Sequence, residues 1–358
     1  MVYYVIGLMS GSSLDGLDIS YVEITDIRKD WSFDIVHSNC IPFEPALKES
    51  LQNASKLSVP EFLKLNTAFG RWMGLEVNKF IEKHQLVHKV HFIASHGHTV
   101  FHDPIAHTST QIGDGASIAA LTGITTISDL RNMDVALGGQ GAPIVPIADR
   151  FFFKDFYYCL NIGGICNLTI NTESPAAFDI APANQVLNHY ALKLGKNYDE
   201  NGAWAAQGKL DPTLLSKLNA LDFYQKPFPK SLANSYSEQL IQIITEHPNE
   251  NPYDILATLS EHIAFQIVNV IPKHDEEVKL LATGGGAHNL FLMDRLGTLL
   301  KEKNVHLIIP QKQIIDNKEA VSMALIGVLR WREENNVLAS VTGASRDSSG
   351  GAMWLGSQ

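Results

Sequence analysis

The order of apolar and polar residues along the chain predicts alternating strands and helices. Two short apolar runs, Val2–Gly7 and Leu17–Ile24, flank a turn rich in glycine and serine, which indicates a β-hairpin. In the next long segment apolar residues recur at helical spacing, and Ser58-x-x-Glu61 forms the capping-box pattern of a helix start. Residues 89–95 then predict a buried strand.

The second half of the chain repeats this order of elements. Tyr157–Ile170 is again an apolar run, a glycine turn and an apolar run, which predicts a second hairpin and a weak internal repeat. The strand Val278–Ala282 leads through Thr283–Gly286 into a helix from about Leu290. Further helices are predicted at residues 44–57, 182–194, 210–220, 236–247, 252–271 and 317–333. Strands and helices that interleave in this way indicate an α/β protein.

Composition and charge narrow the class of protein. The 358 residues, 45% hydrophobic and 18% charged, suffice for two domains with separate cores. The formal net charge of −10 argues against non-specific nucleic-acid binding, which needs clustered Lys and Arg. We expect no signal peptide and no membrane association, because the N-terminus lacks a basic region and no stretch approaches about 18 apolar residues. With only three cysteines, in no disulfide pattern, the chain is expected to be cytoplasmic.

Three glycine turns at predicted strand ends are the first candidate chemistry. They are Gly11–Gly16, Gly163-Gly164 and Gly284–Gly286. Glycine permits positive φ and lets backbone amides approach an anion closely, and the third turn also opens a helix, whose N-terminus favours anions. A tight turn uses glycine for steric reasons alone, so each turn by itself is weak evidence. Neither the Walker A pattern nor the dinucleotide fingerprint occurs, which disfavours a P-loop enzyme or a Rossmann dehydrogenase.

Several longer motifs carry a specific resemblance. In chain order they are 7–18 (GLMSGSSLDGLD), 95–102 (SHGHTVFH), 111–113 (QIG), 138–143 (GGQGAP), 160–165 (LNIGGI), 283–286 (TGGG), 318–320 (KEA) and 341–344 (VTGA). In this order and over nearly the whole chain, they resemble the anhydro-N-acetylmuramic acid kinase family. The resemblance implies an α/β, two-domain actin/Hsp70/hexokinase-like (ribonuclease H-like) fold with an inter-domain active-site cleft. We expect an N-terminal domain of residues 1–131, completed by about 340–358, and a C-terminal domain of residues 132–339.

The resemblance also implies an activity. ATP, with Mg²⁺, would phosphorylate O6 of 1,6-anhydro-N-acetylmuramic acid while water opens the anhydro bridge, giving N-acetylmuramic acid 6-phosphate in peptidoglycan recycling. A homodimer is implied as well. The residues expected at the ATP site are Gly11, Ser12, Ser13, Leu14, Asp15, Gly16, Leu17, Asp18, Gly163, Gly164, Gly284, Gly285 and Gly286. Asp15 is expected to hold Mg²⁺ through water, although turn-forming aspartates also bond their own backbone.

Asp179 is the candidate base that takes a proton from the attacking water. It is expected at a strand end just before a helix from Pro182, so the alternative is that it merely caps that helix. The candidate sugar-binding residues are His98, Arg131, Gln140, Asn184 and Glu319. For Arg131 a buried structural ion pair is the open alternative to binding the lactyl carboxylate, and for Glu319 the alternative is an exposed helical position.

The segment after Asp179 departs from the resemblance. Family members commonly carry Thr-Gly-Pro-Gly there, whereas this chain has Ile180-Ala-Pro-Ala183. The added Cβ atoms are expected to restrict φ and to narrow the approach of a ligand, which bears on substrate specificity.

Three alternative functions stay open from the residues. The histidines His91, His96, His98, His102 and His107 suggest a metal hydrolase, although no HExxH motif or Cys/His cluster completes a site. The altered Asp179 loop allows a nucleotide-binding homologue without catalysis. A kinase for a related sugar is the third.

Overall fold

The computed structural model describes residues 1–11, 14–227, 230–232, 235–248 and 251–357. The chain divides into two compact units, Met1–Phe153 with Asn317–Gln358, and Lys154–Asp316. The division therefore falls elsewhere than the expected boundaries at 131/132 and 339/340. The reason is packing, because Ile147 and Val321 both belong to the core cluster of the first sheet.

The strands and helices have the following bounds. The strands are β1 (Val2–Met9), β2 (Gly16–Ile27), β3 (Asp30–Pro42), β4 (Phe92–Ser95), β5 (His98–Asp103), β6 (Thr108–Ile112), β7 (Thr126–Ser128), β8 (Tyr158–Ile162), β9 (Ile165–Ile170), β10 (Ala176–Pro182), β11 (Val278–Thr283), β12 (Val305–Ile308) and β13 (Ala352–Trp354). The helices are α1 (Pro45–Gln52), α2 (Val59–Lys83), α3 (Gly115–Thr122), α4 (Asn132–Ala136), α5 (Pro146–Phe152), α6 (Asn184–Lys193), α7 (Pro212–Asn219), α8 (Asp222–Gln225), α9 (Ser235–Thr245), α10 (Pro252–Asn269), α11 (Leu290–Lys301), α12 (Lys312–Trp331) and α13 (Ala339–Thr342).

The sheet of the first unit has the order β13-β7-β4-β1-β2-β3. The three strands β1, β2 and β3 are successive antiparallel neighbours, whereas β4 lies parallel to β1 and β7 parallel to β4. The strand β13, from the C-terminal segment, pairs antiparallel with β7 at one edge. A separate hairpin of β5 and β6 follows β4.

The second unit repeats this topology. Its sheet has the order β10-β9-β8-β11-β12, with β8, β9 and β10 antiparallel in succession and β11 and β12 parallel beyond β8. In both units, therefore, two successive antiparallel strands lie on one side of the first strand and two parallel strands lie on the other, beyond which the first unit adds β13. The weak repeat in the sequence corresponds to two copies of one strand arrangement.

The core of the first unit covers both faces of its sheet. Alternate residues of β1 face opposite sides, so that Val5 packs in a cluster with α12 and Ile6 in a cluster with α2. Gly7 is required where α12 crosses β1, because a Cβ there would collide with the carbonyl of Ala320. The second unit has one large cluster, in which Leu160 of β8, Leu280 of β11 and Ile263 of α10 are fully buried.

The predicted elements differ from the structure mainly at their ends. The expected helix 44–57 ends at Gln52, and a short 3₁₀ turn follows. The helix expected from Pro182 begins at Asn184, since β10 continues through Pro182, and the helix expected from 317 already begins at Lys312. Among the described residues, no helix has the length and hydropathy needed to cross a membrane.

Candidate active site

The second glycine turn joins β8 to β9 and lies against the start of α6. The carbonyl of Gly164 accepts the N–H of Ala183 at 2.8 Å, and that of Gly163 accepts the N–H of Asn184 at 3.1 Å. Both carbonyl oxygens are therefore occupied by hydrogen bonds from the start of α6. Neither glycine N–H donates a hydrogen bond within the described chain, so these donors remain available for an anion.

The third glycine turn lies beside the second in the same unit. Gly284 has φ 81°, and a Cβ there would come within 2.5 Å of Asn161 Oδ1 and 2.8 Å of the Ile162 carbonyl. A Cβ on Gly285 would meet only the Asn184 side chain, at 3.5 Å. The close approach at Gly284 thus seats this turn on the end of β8, and only glycine allows it.

The Asn184 side chain lies at the junction of these two turns. It is the first residue of α6, and its Nδ2 donates to the Ile162 carbonyl at 3.1 Å. This hydrogen bond fixes the helix start against the β8–β9 hairpin. The structure therefore brings Gly163, Gly164, Gly284–Gly286 and Asn184 together at one corner of the second unit.

The first glycine turn lies in the first unit, between β1 and β2. Ser12 and Ser13, expected at the ATP site, lie outside the described residues. The N–H of Leu14, a residue with φ 54°, donates to the Gly11 carbonyl at 3.2 Å, and Asp15 is exposed. Gly16 is buried and Leu17 is completely buried in the core of the first unit, so the expected contact of Leu17 with ATP stays a prediction. Asp18 is on strand β2 and not in the turn itself.

Asp179 is a half-buried residue of the edge strand β10. Its Oδ2 accepts the backbone N–H of Leu232 at 2.8 Å and the hydroxyl of Ser231 at 3.3 Å. Burial raises the pKa of Asp179, and these two hydrogen bonds act against that rise. The interpretation as a helix cap is wrong, because the N-cap of α6 is Ala183.

The alanines after Asp179 do not act as the sequence led us to expect. Ala181 and Ala183 are both completely buried in the core cluster of the second unit. The negative φ of Ala183, −126°, lies outside the left-handed region, so a glycine with positive φ is not needed at this position. The methyl groups fill core space in this chain, and the expected narrowing of ligand access at these alanines is not observed.

Arg131 is held in a polar network of the first unit. Its Nε donates to His96 Nε2 at 2.8 Å, and its Nη1 donates to the Gly141 carbonyl at 2.7 Å. Asp134 completes the network, with Oδ2 accepting the Gly141 N–H at 2.7 Å and Oδ1 accepting the Thr342 hydroxyl at 2.6 Å. Burial lowers the pKa of Arg131 to about 10, opposed by Glu319 and Asp134. The guanidinium has a structural role here, and contact with a substrate carboxylate stays a prediction.

Glu319 lies on α12 near Asp18. It is half-buried and not the exposed helical residue of the alternative interpretation. Burial raises the pKa of Glu319, Asp18 adds to the rise, and Arg131 and Lys318 oppose it. The neighbouring Lys318 forms a buried ion pair with Asp149 at 2.6 Å, which ties α12 to α5.

The histidine-rich segment does not form a metal site. His96 Nδ1 lies 3.0 Å from the Gly97 carbonyl and therefore carries the proton, while its Nε2 accepts from Arg131. His98 contacts the Ser10 hydroxyl at 3.2 Å, and burial lowers its pKa. No three His, Cys, Asp or Glu side chains are grouped for a metal in the part of the chain that the structure describes. Gln140 is exposed, and its N–H donates to the Thr342 carbonyl at 2.8 Å.

Ser231 and Leu232 were not expected at the site. They belong to an irregular segment far along the chain from Asp179, and no local pattern marks them. Only the pairing of this segment with the edge of β10 reveals them.

Two units with the same strand arrangement, each with a glycine turn in its first hairpin, define an α/β protein, and the family to which the chain belongs makes it an ATP-dependent phosphotransferase. The model of the anhydro-N-acetylmuramic acid kinase family matches residues 3–356, and the chain belongs to that family. The resemblance stated from the sequence motifs is thereby confirmed.

Curated relatives from the same family align with this chain over nearly its full length. The anhydro-N-acetylmuramic acid kinase of Pasteurella multocida is 34% identical over 98% of this chain and 96% of its own length. That of Coxiella burnetii (strain Dugway 5J108-111) is 35% identical over 98% and 97%. Among solved structures, the activator of the 2-hydroxyisocaproyl-CoA dehydratase from Clostridium difficile with bound ADPNP matches at 13% identity, 90% and 93% coverage and a TM-score of 0.42, too low to support an argument.

Proposed function

We propose that the protein transfers the γ-phosphoryl group of ATP to O6 of 1,6-anhydro-N-acetylmuramic acid while water adds at C1. The product is N-acetylmuramic acid 6-phosphate, and the role is in peptidoglycan recycling. The observation that carries the proposal is the Asp179 carboxylate, of which Oδ2 is held by two donors while Oδ1 accepts no hydrogen bond from the described residues. A carboxylate arranged in this way can accept a proton from water.

One base is sufficient for this reaction. Water attacks C1, the C1–O6 bond breaks, and O6 forms its new bond to the γ-phosphorus as the bond to ADP breaks. The proton of the water passes to Oδ1 of Asp179. Because O6 takes the phosphoryl group, no protein acid has to protonate the departing oxygen.

The glycine turns supply the donors for the triphosphate in this proposal. The unoccupied N–H groups of Gly163 and Gly164, with the turn at Gly284–Gly286, offer fixed main-chain dipoles at one corner of the second unit. From the first unit, the proposal uses the turn at residues 11–18. The expected position of the ligands in a cleft between domains stays a prediction.

We also propose that Mg²⁺ binds near Asp15. The exposed Asp15 carboxylate beside the first turn is a hard oxygen donor of the kind that Mg²⁺ prefers, here through water. When bound with ATP, the ion would offset the charge of the β- and γ-phosphates. An ion held mainly by phosphates and water does not require a cage of protein side chains.

Five side chains are proposed to contact the sugar: His98, Arg131, Gln140, Asn184 and Glu319. Burial lowers the pKa of His98, so the imidazole is neutral and suited to hydrogen bonding with hydroxyl groups. The polar network around Arg131 leaves its positive charge near Glu319 and Asp134. We further propose, on the family membership, that the protein is cytoplasmic. We also propose that it forms a homodimer, which light scattering of the purified protein tests.

The deciding experiment is one assay with ATP, Mg²⁺ and 1,6-anhydro-N-acetylmuramic acid in ¹⁸O-labelled water. We expect a product that has gained one phosphate and one water, with the label at C1. Phosphorylation of a different sugar alone would identify a related sugar kinase. Binding of ATP without turnover of any anhydro sugar would identify a non-catalytic homologue, and both outcomes would overturn the proposal.

A further inference from the structure

We propose that Ser231 is a positioning residue that sets the ionisation of the Asp179 base, as part of a clamp formed by residues 230–232. The inference rests on the proposed role of Asp179 as the base and adds a group that controls it. Ser231 would not touch the substrate atoms that react. It would act through the Asp179 carboxylate alone.

The clamp runs along the open edge of the second sheet. β10 is an edge strand, and the N–H of Asp179 donates to the Lys230 carbonyl at 2.9 Å. The N–H of Leu232 returns a hydrogen bond to Asp179 Oδ2 at 2.8 Å, and the Ser231 hydroxyl donates to the same oxygen at 3.3 Å. The backbone and the side chain of Asp179 are thus fixed by one short segment.

Both ends of the clamp are anchored. Leu232 is 8% exposed and packs in the core cluster of the second unit. Lys230 Nζ donates to the Phe223 carbonyl at 3.1 Å and lies 4.5 Å from the centre of the Phe223 ring. Because Phe223 is itself buried on α8, the clamp is tied to the body of the unit.

The two oxygens of the Asp179 carboxylate have different surroundings and therefore different roles. Both donors bind Oδ2 and stabilise the ionised form there, while Oδ1 accepts nothing from the described residues. The carboxyl group therefore keeps one fixed oxygen and one that can receive a proton. Among the described residues, a thiol lies near the Asp179 carboxylate and an ammonium group lies on the clamp. Cys166 on β9 is a buried thiol, and the Lys230 ammonium is directed to Phe223.

Substitution of Ser231 tests the clamp with little risk to the fold, because Ser231 is exposed. In Ser231→Ala the ionised form of Asp179 loses one donor, so the pKa of Asp179 should rise. The acid limb of the kcat–pH profile should move up by the same amount. We expect kcat below that limb to fall about three- to tenfold and KM to change little. Ser231→Thr, which keeps the hydroxyl, should restore the profile.

The matched control is Ser216→Ala, an exposed serine on α7, which should leave the profile unchanged. A second measurement does not need turnover: the titration of the Asp179 carboxyl carbon by ¹³C NMR in the protein without ligands. If that titration is the same in wild type and Ser231→Ala, the clamp has no electrostatic role and the inference is wrong. If the titration shifts but the wild type does not turn over the anhydro sugar, the proposed function fails and the clamp stands.

Discussion

A carboxylate that takes a proton from water must be ionised and still basic, and the surroundings of Asp179 act in both directions. Burial raises its pKa, whereas the hydrogen bonds from Leu232 and Ser231 lower it. A side chain that merely capped a helix would bond that helix, but the N-cap of α6 is Ala183. The Asp179 carboxylate is therefore fixed by Ser231 and Leu232 and not by α6, and its role as the base stays a prediction.

Asp179→Asn should abolish turnover while preserving nucleotide binding. The amide cannot accept the proton of water, so kcat should fall by about three orders of magnitude or more. ATP affinity, measured by calorimetry, should stay within about twofold of wild type because the glycine turns are untouched. If kcat survives within about tenfold, equivalent to about 1.4 kcal/mol in the barrier, Asp179 is not the base. A thermal unfolding curve of each protein checks that the variant is folded.

At the scale of elements, the glycine positions in the turns differ in whether packing requires glycine there. Gly284 is required by the fold itself, because it has positive φ and presses against Asn161 and Ile162. Gly163 and Gly285 are not: a Cβ at either position would meet its nearest neighbour at 3.4 Å and 3.5 Å, respectively. Packing within the second unit does not require these two glycines, and the close approach of a phosphate to them stays a prediction.

Gly163→Ala and Gly285→Ala should therefore weaken ATP binding without unfolding the protein. The added methyl group would occupy the space that a phosphate needs, and we expect ATP affinity to fall about tenfold or more, equivalent to about 1.4 kcal/mol. The midpoint of urea unfolding should change little. Binding of a non-hydrolysable nucleotide and unfolding are measured on the same samples.

Gly297→Ala serves as the control for these glycine variants. Gly297 lies inside α11, where an added Cβ would meet only Leu307 at 3.5 Å. Alanine in a helix interior should stabilise the protein by about 0.5–1 kcal/mol and leave ATP affinity unchanged. Unaltered affinity in both turn variants would remove these turns from the ATP site.

At the scale of the whole molecule, His96 in the first unit and His262 in the second are both deeply buried and neutral. His96 in the first unit is held between Arg131 and the Gly97 carbonyl. His262 in the second unit contacts Asn219 Oδ1 at 2.6 Å and the Tyr224 hydroxyl at 2.9 Å. Burial lowers the pKa of both histidines from 6.5 to about 3, with the Arg131 charge adding to the effect at His96.

Because the pKa of both histidines is lowered in the folded chain, we expect the free energy of unfolding to fall on acidification. The unfolded chain takes up a proton at each histidine below about pH 6.5, while the folded chain does so only near pH 3, so folding is favoured above this window. Within this pH window, the free energy of unfolding should fall by about 1.4 kcal/mol per histidine for each unit by which the pH is lowered. Urea unfolding between pH 7.5 and about 4.5 measures the slope.

His262→Gln isolates the contribution of the second unit. Glutamine can donate and accept hydrogen bonds but does not titrate, so stability should depend less steeply on pH in the variant than in wild type. Parallel pH dependences in the two proteins would contradict the assignment of a neutral buried His262. Because carboxylates also contribute to acid unfolding, the difference between the two slopes is the informative quantity.

The sequence by itself determined the elements whose physics is local. Strand, glycine turn and strand follow one another at β1–β2 and β8–β9, and the apolar spacing of α2 and its Ser58–Glu61 start are visible in the residues. The motifs spread along the chain also identified the family, since their order survives without coordinates.

Only the tertiary structure decided which distant groups meet. The contacts of Asp179 with Ser231 and Leu232, and of Gly284 with Asn161, join residues far apart in the chain, and no local pattern encodes them. The burial of Ala181 and Ala183 likewise depends on how the end of β10 and the start of α6 pack in the core of the second unit. Periodicity and turn chemistry act over a few residues, whereas burial and hydrogen-bond partners depend on how the sheet is assembled.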